Sequence, residues 1–308
     1  MSKRAEDLKE SVAGDGSRAI NKFRFSDGVM MLIIVLLCLT CILPFIHVLA
    51  KSLSDNSYVV AQQVTLWPKG FTVEAYRKVF GDSTMVYSLG FSVFVTVVFT
   101  LLGLFVCLCA AYPLSKKDLP FRWVITFLLV VPMYFGAGLI PTYLLYNDLN
   151  LLDTMWVLIL PGIYSTYNAL VMKTYFQSSI PDSLEESAFL DGANYFQIIW
   201  HIILPLSKPI LATLGLFYAV GRWNSYGDNM YYIRMRTDLR MLQYKLYLLV
   251  TTAAEALSTA AEEGSAVITT PEVLQAATIM FATVPIIIVY PFLQKYFVKG
   301  AMIGSVKG

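Results

Sequence analysis

The chain has 308 residues, of which 57% are hydrophobic and 14% are charged, and its formal net charge is +2. Soluble domains usually carry about 25% charged residues, so this composition argues against a soluble enzyme and predicts a membrane protein. No stretch is dense enough in Lys and Arg to indicate a nucleic-acid partner.

Uncharged apolar runs follow a polar N-terminal arm, residues 1–27, whose mixed composition predicts a solvated segment. Residues 28–50, 83–115, 123–147, 154–172 and 273–294 contain no Asp, Glu, Lys or Arg, and a shorter run covers 209–221. About 20 helical residues cross a bilayer core. The sequence therefore predicts an all-α polytopic membrane protein whose transmembrane domain, 28–298, has six transmembrane helices, at about 28–50, 84–114, 123–147, 154–175, 207–224 and 273–295.

The distribution of Lys and Arg predicts which side of the membrane each segment faces. The N-terminal arm carries six of these residues, and the segment between spans two and three carries three, whereas loop 148–153 carries none. The C-terminal end adds Lys295, Lys299 and Lys307. Both termini, including the tail 299–308, and the connection 181–205 are therefore predicted to be cytoplasmic. Residues 225–272 are predicted to form a long extracytoplasmic loop.

Several kinds of chemistry are disfavoured by the residues present. All four cysteines lie in predicted spans, where a thiol behaves as a small apolar group, and two histidines are too few for a His-rich metal site. The chain also lacks a GxxxxGK[ST] phosphate loop. We therefore expect no catalytic residue, no metal and no bound cofactor. We expect Lys208, at the start of span five, to be the only ionisable residue close to a span, and this disfavours an ion-coupled carrier.

A polar segment, residues 181–205, interrupts the apolar sequence and is predicted to form two short helices joined at Gly192. The pairs Asp182/Glu185 and Ser183/Glu186 both fit a capping box at the start of the first helix. Gly192 suits the left-handed conformation that ends a helix. The pattern predicts a helix–turn–helix on the cytoplasmic side.

The second helix of this segment is predicted to be capped by Asn194 with Gln197, and to end at Leu204-Pro205. Pro209 fits the first turn of span five. On periodicity alone, the segment is equally well explained as an amphipathic linker that lies on the membrane surface.

Two groups of residues in this segment resemble the EAA loop of ABC-importer permeases. They are Glu186-Ser187-Ala188-x-x-Asp191-Gly192-Ala193 and the later Leu204-Pro205, with Ser187 in place of the usual alanine. Residues 67–76, 206–209, 292–300 and 304–308 are similar to the carbohydrate-uptake (MalG-like) branch, so the resemblance covers about 28–308. Residues 218–224 and 290–295 look most like permeases for aldouronate and polysaccharide fragments.

The resemblance implies a type I ABC importer permease fold and a role in binding-protein-dependent oligosaccharide uptake across the bacterial plasma membrane. It implies that ATP and Mg²⁺ are bound by a separate ATPase, so that this chain is not itself an enzyme. The implied partners are a second, homologous permease subunit in a heterodimer, two ATPase subunits, an extracytoplasmic solute-binding protein, the oligosaccharide and the lipid bilayer. The implied ATPase-coupling residues are Glu186, Ser187, Ala188, Asp191, Gly192, Ala193, Leu204 and Pro205. A second contact, from the C-terminal tail, would involve Ser305 and Lys307.

Aromatic and amide side chains near the spans are candidates for the sugar path, since rings stack on sugar C–H faces and amides reach hydroxyls. These candidates are Tyr134, Tyr164, Tyr167, Asn168, Trp223 and Asn224. Tyr and Trp at span ends also serve as interfacial anchors. Two alternatives therefore stay open: a permease half that scaffolds and couples without touching sugar, and, less favoured, an ion-coupled carrier.

Overall fold

Helices account for all the regular structure in residues 25–263 and 272–305, which are the residues that the computed structural model describes. This part of the chain contains no strand, and the predicted all-α class is confirmed. The α-helices are α1 Phe25–Ser52, α2 Asn56–Val60, α3 Glu74–Gly81, α4 Ser83–Ser115, α5 Arg122–Tyr134, α6 Leu139–Asp148, α7 Thr166–Ser179, α8 Asp182–Leu190, α9 Tyr195–Leu206, α10 Lys208–Asn224, α11 Gly227–Tyr232, α12 Leu242–Glu263 and α13 Glu272–Ser305. Short 3₁₀ turns occupy Met155–Leu158 and Thr237–Leu239.

Three of these helices are long and apolar enough to cross a membrane as single elements. They are α1 over Asp27–Ser52, α4 over Ser83–Ser115, and α13 over Glu272–Pro291. Two further pairs qualify only as broken spans, because α5 and α6 meet at 113° and α9 and α10 meet at 80°. By length and composition, the described residues therefore contain three candidate membrane helices, or five when each bent pair is one span.

The predicted third span, 123–147, is not one straight helix. Pro132 lies near the end of α5, and Gly138 has φ +86 before α6 begins. Proline removes a helical hydrogen bond, and the left-handed glycine redirects the chain. The prediction of a continuous helix here is therefore corrected to a bent pair.

The predicted fourth span, 154–175, also differs, because its helix occupies Thr166–Ser179 only. Fourteen residues are shorter than the roughly 20 that a straight crossing needs. The preceding residues form a 3₁₀ turn and an irregular stretch with Gly162 at φ +80. Val157, Leu158 and Ile159 are fully buried, so this stretch fills the helix bundle and lines a cavity described below.

Helix α4 lies at the centre of the bundle, where it packs against α7 and α10, while α13 packs against α1 and α10. Cys107, Met172 and Leu214 are fully buried between the first three helices. Gly103 permits the closest approach, because an added Cβ would lie 2.8 Å from Cε1 of Tyr218. In contrast, α1 exposes most of its apolar side chains. A large exposed apolar face of this kind is typical of contact with membrane or with another protein.

The predicted long outer loop, 225–272, contains helices in its described part. Asn229 is buried and closes the turn after α11, because its Nδ2 donates to the carbonyl of Leu239 at 2.9 Å and its Oδ1 accepts from the N–H of Met241 at 2.9 Å. The rings of Tyr226 and Tyr247 are stacked with centroids 4.8 Å apart. Residues 264–271, like residues 1–24 of the N-terminal arm, lie outside the described part of the chain.

Asp153 joins two of the connecting segments. Its Oδ1 accepts the backbone N–H groups of residues 234, 235 and 236 at 2.7, 2.8 and 3.2 Å. Partial burial raises the pKa of Asp153, but these three donors outweigh it and hold the pKa below its ordinary value. The carboxylate thus ties residues 234–236 to the loop before the 3₁₀ turn.

Candidate functional site

Helix α8 begins the polar segment, and its start differs from the predicted capping boxes. The N-cap is Pro181, whose side chain has no group that could accept a capping hydrogen bond. Asp182 is already the first helical residue. Asp182 and Glu185 lie in the first turn, where negative charge is favoured by the helix dipole. The carboxylates of Asp182 and Glu185 pair with lysines at the α4 terminus instead of with free backbone N–H groups, so the first predicted box does not form. The second box does not form because Ser183 is already the second helical residue and is not the N-cap.

Glu185 anchors α8 to α4. The residue is only 7% exposed, and its Oε2 accepts a hydrogen bond from the hydroxyl of Tyr112 at 3.0 Å. Its Oε1 pairs with the ammonium of Lys116, which also lies 4.8 Å from the centroid of the Tyr112 ring. Next to this cluster, Asp182 pairs with Lys117 at 3.2 Å.

The sequence analysis assigned Glu185 to a capping box and did not predict its contact with α4. The signal that was available is the basic pair at 116–117, which complements the two acidic residues of the first turn of α8. The pairing itself depends on the tertiary approach of α4 to α8.

The turn after α8 confirms the prediction for Gly192, whose φ is +83. The N–H of Ala193 donates to the carbonyl of Ala188 at 2.9 Å, and that of Gly192 donates to Phe189 at 3.0 Å. These two bonds form the Schellman arrangement that ends a helix. Within the described chain, an added Cβ at Gly192 would meet no atom closer than 4 Å. Glycine is therefore required by the backbone conformation and not by crowding.

Helix α9 begins with the predicted capping box, because Asn194 Oδ1 accepts from the Gln197 N–H and Gln197 Oε1 accepts from the Asn194 N–H, both at 2.9 Å. A π-helical segment, Ile199–Ile203, precedes Pro205. Proline at this point removes a helical donor and crowds the carbonyl four residues back, and the wider turn relieves both effects. The helix ends at Leu206, and Pro209 lies in the first turn of α10 as predicted.

The predicted coupling residues divide between an exposed and a packed set. Glu186, Ser187, Asp191, Gly192 and Pro205 are exposed, Ala188 is buried against the core, and Ala193 and Leu204 are half-buried. Leu190, which sequence reasoning did not single out, is 90% exposed beside the turn. Asp191, Gly192, Gln197 and His201 line a cleft of about 300 Å³ on this surface. The α8–α9 segment therefore presents an acidic and apolar tip on a fixed base.

The second predicted contact, made by the C-terminal tail, lies outside the described side chains. Ser305 is the last residue of α13, but its side chain lies outside the described part, as does the whole of Lys307.

The six candidates for the sugar path do not form one site. Tyr134 is exposed at the end of α5, and Asn224 is exposed at the end of α10. Tyr164 and Tyr167 line a separate cleft of about 450 Å³. Trp223 is buried and its indole N–H donates to the carbonyl of Ala282 at 3.3 Å, so it packs against α13.

Asn168 is the candidate that lines a polar cavity of about 380 Å³. This cavity lies between α4, the irregular stretch before α7, α10 and α11. Its walls combine rings with hydrogen-bonding and charged groups: Phe99, Ser165, Asn168, Tyr218, Arg222 and Asp228. Such a mixture suits a sugar, whose C–H faces stack on rings while its hydroxyls bond polar groups.

Arg222 is a buried charge within α10. It contradicts the prediction that Lys208 is the only ionisable residue close to a span. It is 4% exposed, its Nη1 donates to the carbonyl of Leu158 at 2.9 Å, and its Nη2 pairs with Oδ2 of Asp228 at 2.6 Å. A charged residue in the last turn of a span is ordinarily expected to lie at the membrane–water interface, in contact with solvent. In the structure, α11 and the 3₁₀ turn fold over it, and this is why the prediction missed it.

A helical bundle with candidate membrane spans and a polar cavity open at its surface is an arrangement found in transport proteins. Residues 100–227 match the family described as binding-protein-dependent transport system inner membrane component. Over 287 residues the chain is 41% identical to the polygalacturonan/rhamnogalacturonan transport system permease protein YtcP of Bacillus subtilis (strain 168), covering 93% of this chain and all of that protein. It is 40% identical over 269 residues to protein LplC of the same strain, covering 87% and 90%.

A solved structure agrees with these relatives. One chain in the crystal structure of a bacterial ABC transporter involved in the import of the acidic polysaccharide alginate aligns with a TM-score of 0.79 at 31% identity, covering 90% of this chain and 98% of that one. The chain therefore belongs to the permease family of binding-protein-dependent ABC importers. The predicted family and permease fold are confirmed.

Family membership carries general consequences for this chain. It is a transporter permease subunit and a multi-pass protein of the inner membrane. Importers of this class work with a partner permease, an ATPase and a solute-binding protein.

Proposed function

We propose that this chain forms half of the translocation path of an ATP-driven importer for acidic oligosaccharides derived from polysaccharides. The relatives named above include a permease for polygalacturonan and rhamnogalacturonan and a transporter for alginate. The observation that carries the proposal is the polar cavity itself, in which a buried arginine, an amide and aromatic rings meet. This cavity favours a role in the sugar path over a subunit that only scaffolds and couples.

The proposed complex contains a second permease subunit, two ATPase subunits that bind ATP and Mg²⁺, and an extracytoplasmic binding protein that delivers the sugar. We assign the α8–α9 segment as the surface that docks on the ATPase. Glu186 and Leu190 supply its exposed charge and apolar surface, and Glu185 supplies its attachment to α4. A firm attachment suits this task, because a loosely held loop would absorb movement of the ATPase instead of passing it to the helices.

We propose that both termini and the α8–α9 segment face the cytoplasm. The Lys and Arg distribution supports this assignment. The ion pairs of Lys116 with Glu185 and of Lys117 with Asp182 support it as well, because they join two segments that the distribution assigns to the same side.

The test is ATP-dependent uptake of trigalacturonate by the complete importer in proteoliposomes. Gly221 lines the cavity, and an added Cβ there would meet no described atom within 4 Å. Gly221→Leu should therefore block the cavity and lower the uptake rate at least about tenfold, while the matched control Gly221→Ala should transport nearly normally. Normal uptake by Gly221→Leu would favour the scaffolding alternative.

The coupling assignment is tested in the same vesicles by Glu186→Lys. This reversal should abolish ATP-linked uptake and leave the melting temperature of the permease unchanged, since Glu186 is exposed. ATP-dependent uptake at the normal rate would remove Glu186 from the coupling surface, and normal uptake without ATP would instead indicate a carrier that is not driven by the ATPase.

A further inference from the structure

The guanidinium of Arg222 is held in place on several sides. Its side chain is 3% exposed, its Nη1 is bonded to the carbonyl of Leu158, and its Cζ lies 5.2 Å from the centroid of the Phe99 ring. Arginine does not lose its proton in proteins. A cation that is buried and immobile needs an anion beside it at every stage of transport, since an unpaired buried charge is strongly unfavourable.

The anion that now faces Arg222 is held less firmly. The Asp228 side chain is 32% exposed and lies in the first turn of the six-residue helix α11. Among the described residues, its other polar contact is the hydroxyl of Ser225 at 3.4 Å. Of the two partners, Asp228 is therefore the one able to move away.

The pairing also leaves part of Arg222 unused. Asp228 binds at Nη2, and the neighbouring Nε is buried without a hydrogen-bond partner among the described residues. Nε and Nη2 form one edge of the guanidinium, and a carboxylate placed squarely on that edge accepts two parallel hydrogen bonds. A free carboxylate in the cavity could thus satisfy Nε in addition to replacing Asp228.

We propose that Arg222 is the residue that recognises acidic sugars, and that Asp228 is a resident carboxylate which a substrate carboxylate displaces. The inference rests on the proposed function, because it names how the same cavity selects its substrate. A uronate unit exchanges one carboxylate for another and leaves no buried charge unpaired. A neutral oligosaccharide makes no such exchange, so Asp228 stays in place and narrows the cavity.

The first test is the KM for trigalacturonate uptake by the complete importer, compared between the unmodified chain and Asp228→Asn. Removing the competing carboxylate should lower KM about tenfold, the effect of roughly one charge-assisted hydrogen bond. The matched control is Asp238→Asn, which breaks the exposed pair with Arg236 at 2.7 Å outside the cavity, and it should leave KM unchanged. If the Arg222–Asp228 pair is only a structural tie, Asp228→Asn will raise KM or leave it unchanged, and the inference is overturned.

The second test uses Arg222→Gln/Asp228→Asn, which removes both charges and keeps polar side chains at both positions. Uptake of trigalacturonate should fall at least about tenfold relative to uptake of its carboxyl-reduced, neutral counterpart. Equal changes for both sugars, with an unaltered melting temperature, would refute the role of Arg222. A complex with the unmodified chain that takes up neither sugar would instead refute the proposed function.

Discussion

Replacing Glu185 with alanine should loosen the α8–α9 segment from α4 without unfolding the bundle. The carboxylate accepts a hydrogen bond from Tyr112 and pairs with Lys116 in a nearly closed site. Removing it leaves a buried hydroxyl without its acceptor and an ammonium without its counter-ion. Both losses fall on one contact between α8 and the end of α4, so the effect should be local.

The size of the effect follows from the burial of the two partners. Losing one partner of a fully buried ion pair costs about 3–5 kcal/mol, and a hydrogen bond to a charged group contributes about 1.5–3 kcal/mol. The Lys116 side chain is 30% exposed, so water replaces part of what the carboxylate supplied. We therefore expect about 2–3 kcal/mol for Glu185→Ala, and about 1 kcal/mol for Glu185→Gln, which keeps an acceptor for Tyr112.

Hydrogen exchange of residues 182–190 in the purified permease complex measures this loss of stability directly. A loss of 2–3 kcal/mol raises the equilibrium constant for opening of α8 by a factor of about 30–150. ATP hydrolysis should also become independent of the loaded binding protein. Asp182→Asn is the matched control, because it breaks the neighbouring but exposed pair with Lys117, and exposed pairs contribute little. Equal exchange in Glu185→Ala and Asp182→Asn would refute the reasoning.

Three other changes test single features of the fold. Gly103→Ala places a methyl group against the ring of Tyr218 and should destabilise the bundle by about 1–3 kcal/mol. The control is Gly90→Ala on the same helix, where the added methyl group meets no described atom within 4 Å and should be neutral or stabilising. A lower melting temperature for Gly90→Ala than for Gly103→Ala would contradict this packing. Gly192→Ala forces a β-carbon into the left-handed region at a cost of about 1–2 kcal/mol, and Gly192→Asn should cost less, which exchange of α8 would report. The pKa of Asp153 is lowered in the folded protein, so its contribution to stability is present above the unfolded pKa of about 3.9 and is lost as pH falls through the folded pKa. The melting temperature should therefore drop on acidification below about pH 4. Asp153→Asn should show a smaller drop.

Much of the polar segment was predictable, because its features are local in the chain. Gly192 ends a helix, and Asn194 and Gln197 cap the next, through bonds that span five residues or fewer. The long apolar runs of α1, α4 and α13 were equally readable, since a bilayer core imposes their length and composition.

Predictions failed where a distant segment changed the setting of a residue. Asp182 and Glu185 were read as caps, but the approach of α4 supplied lysines that take their carboxylates. Span 154–175 was predicted to be one helix. In the structure, residues 157–159 are buried in the bundle, but they belong to a 3₁₀ turn and an irregular stretch.

The sequence by itself determined the membrane class, the family resemblance and the helix–turn–helix at Gly192, because each depends on composition or on neighbours a few positions apart. The tertiary structure alone decided that Glu185 is the anchor of that segment and that Arg222 is buried under the 3₁₀ turn at Leu158. Both outcomes depend on partners from other elements: Tyr112 and Lys116 lie about 70 positions from Glu185, and Leu158 lies 64 positions from Arg222. The cost or benefit of a charge is set by what surrounds it, and no local pattern records that.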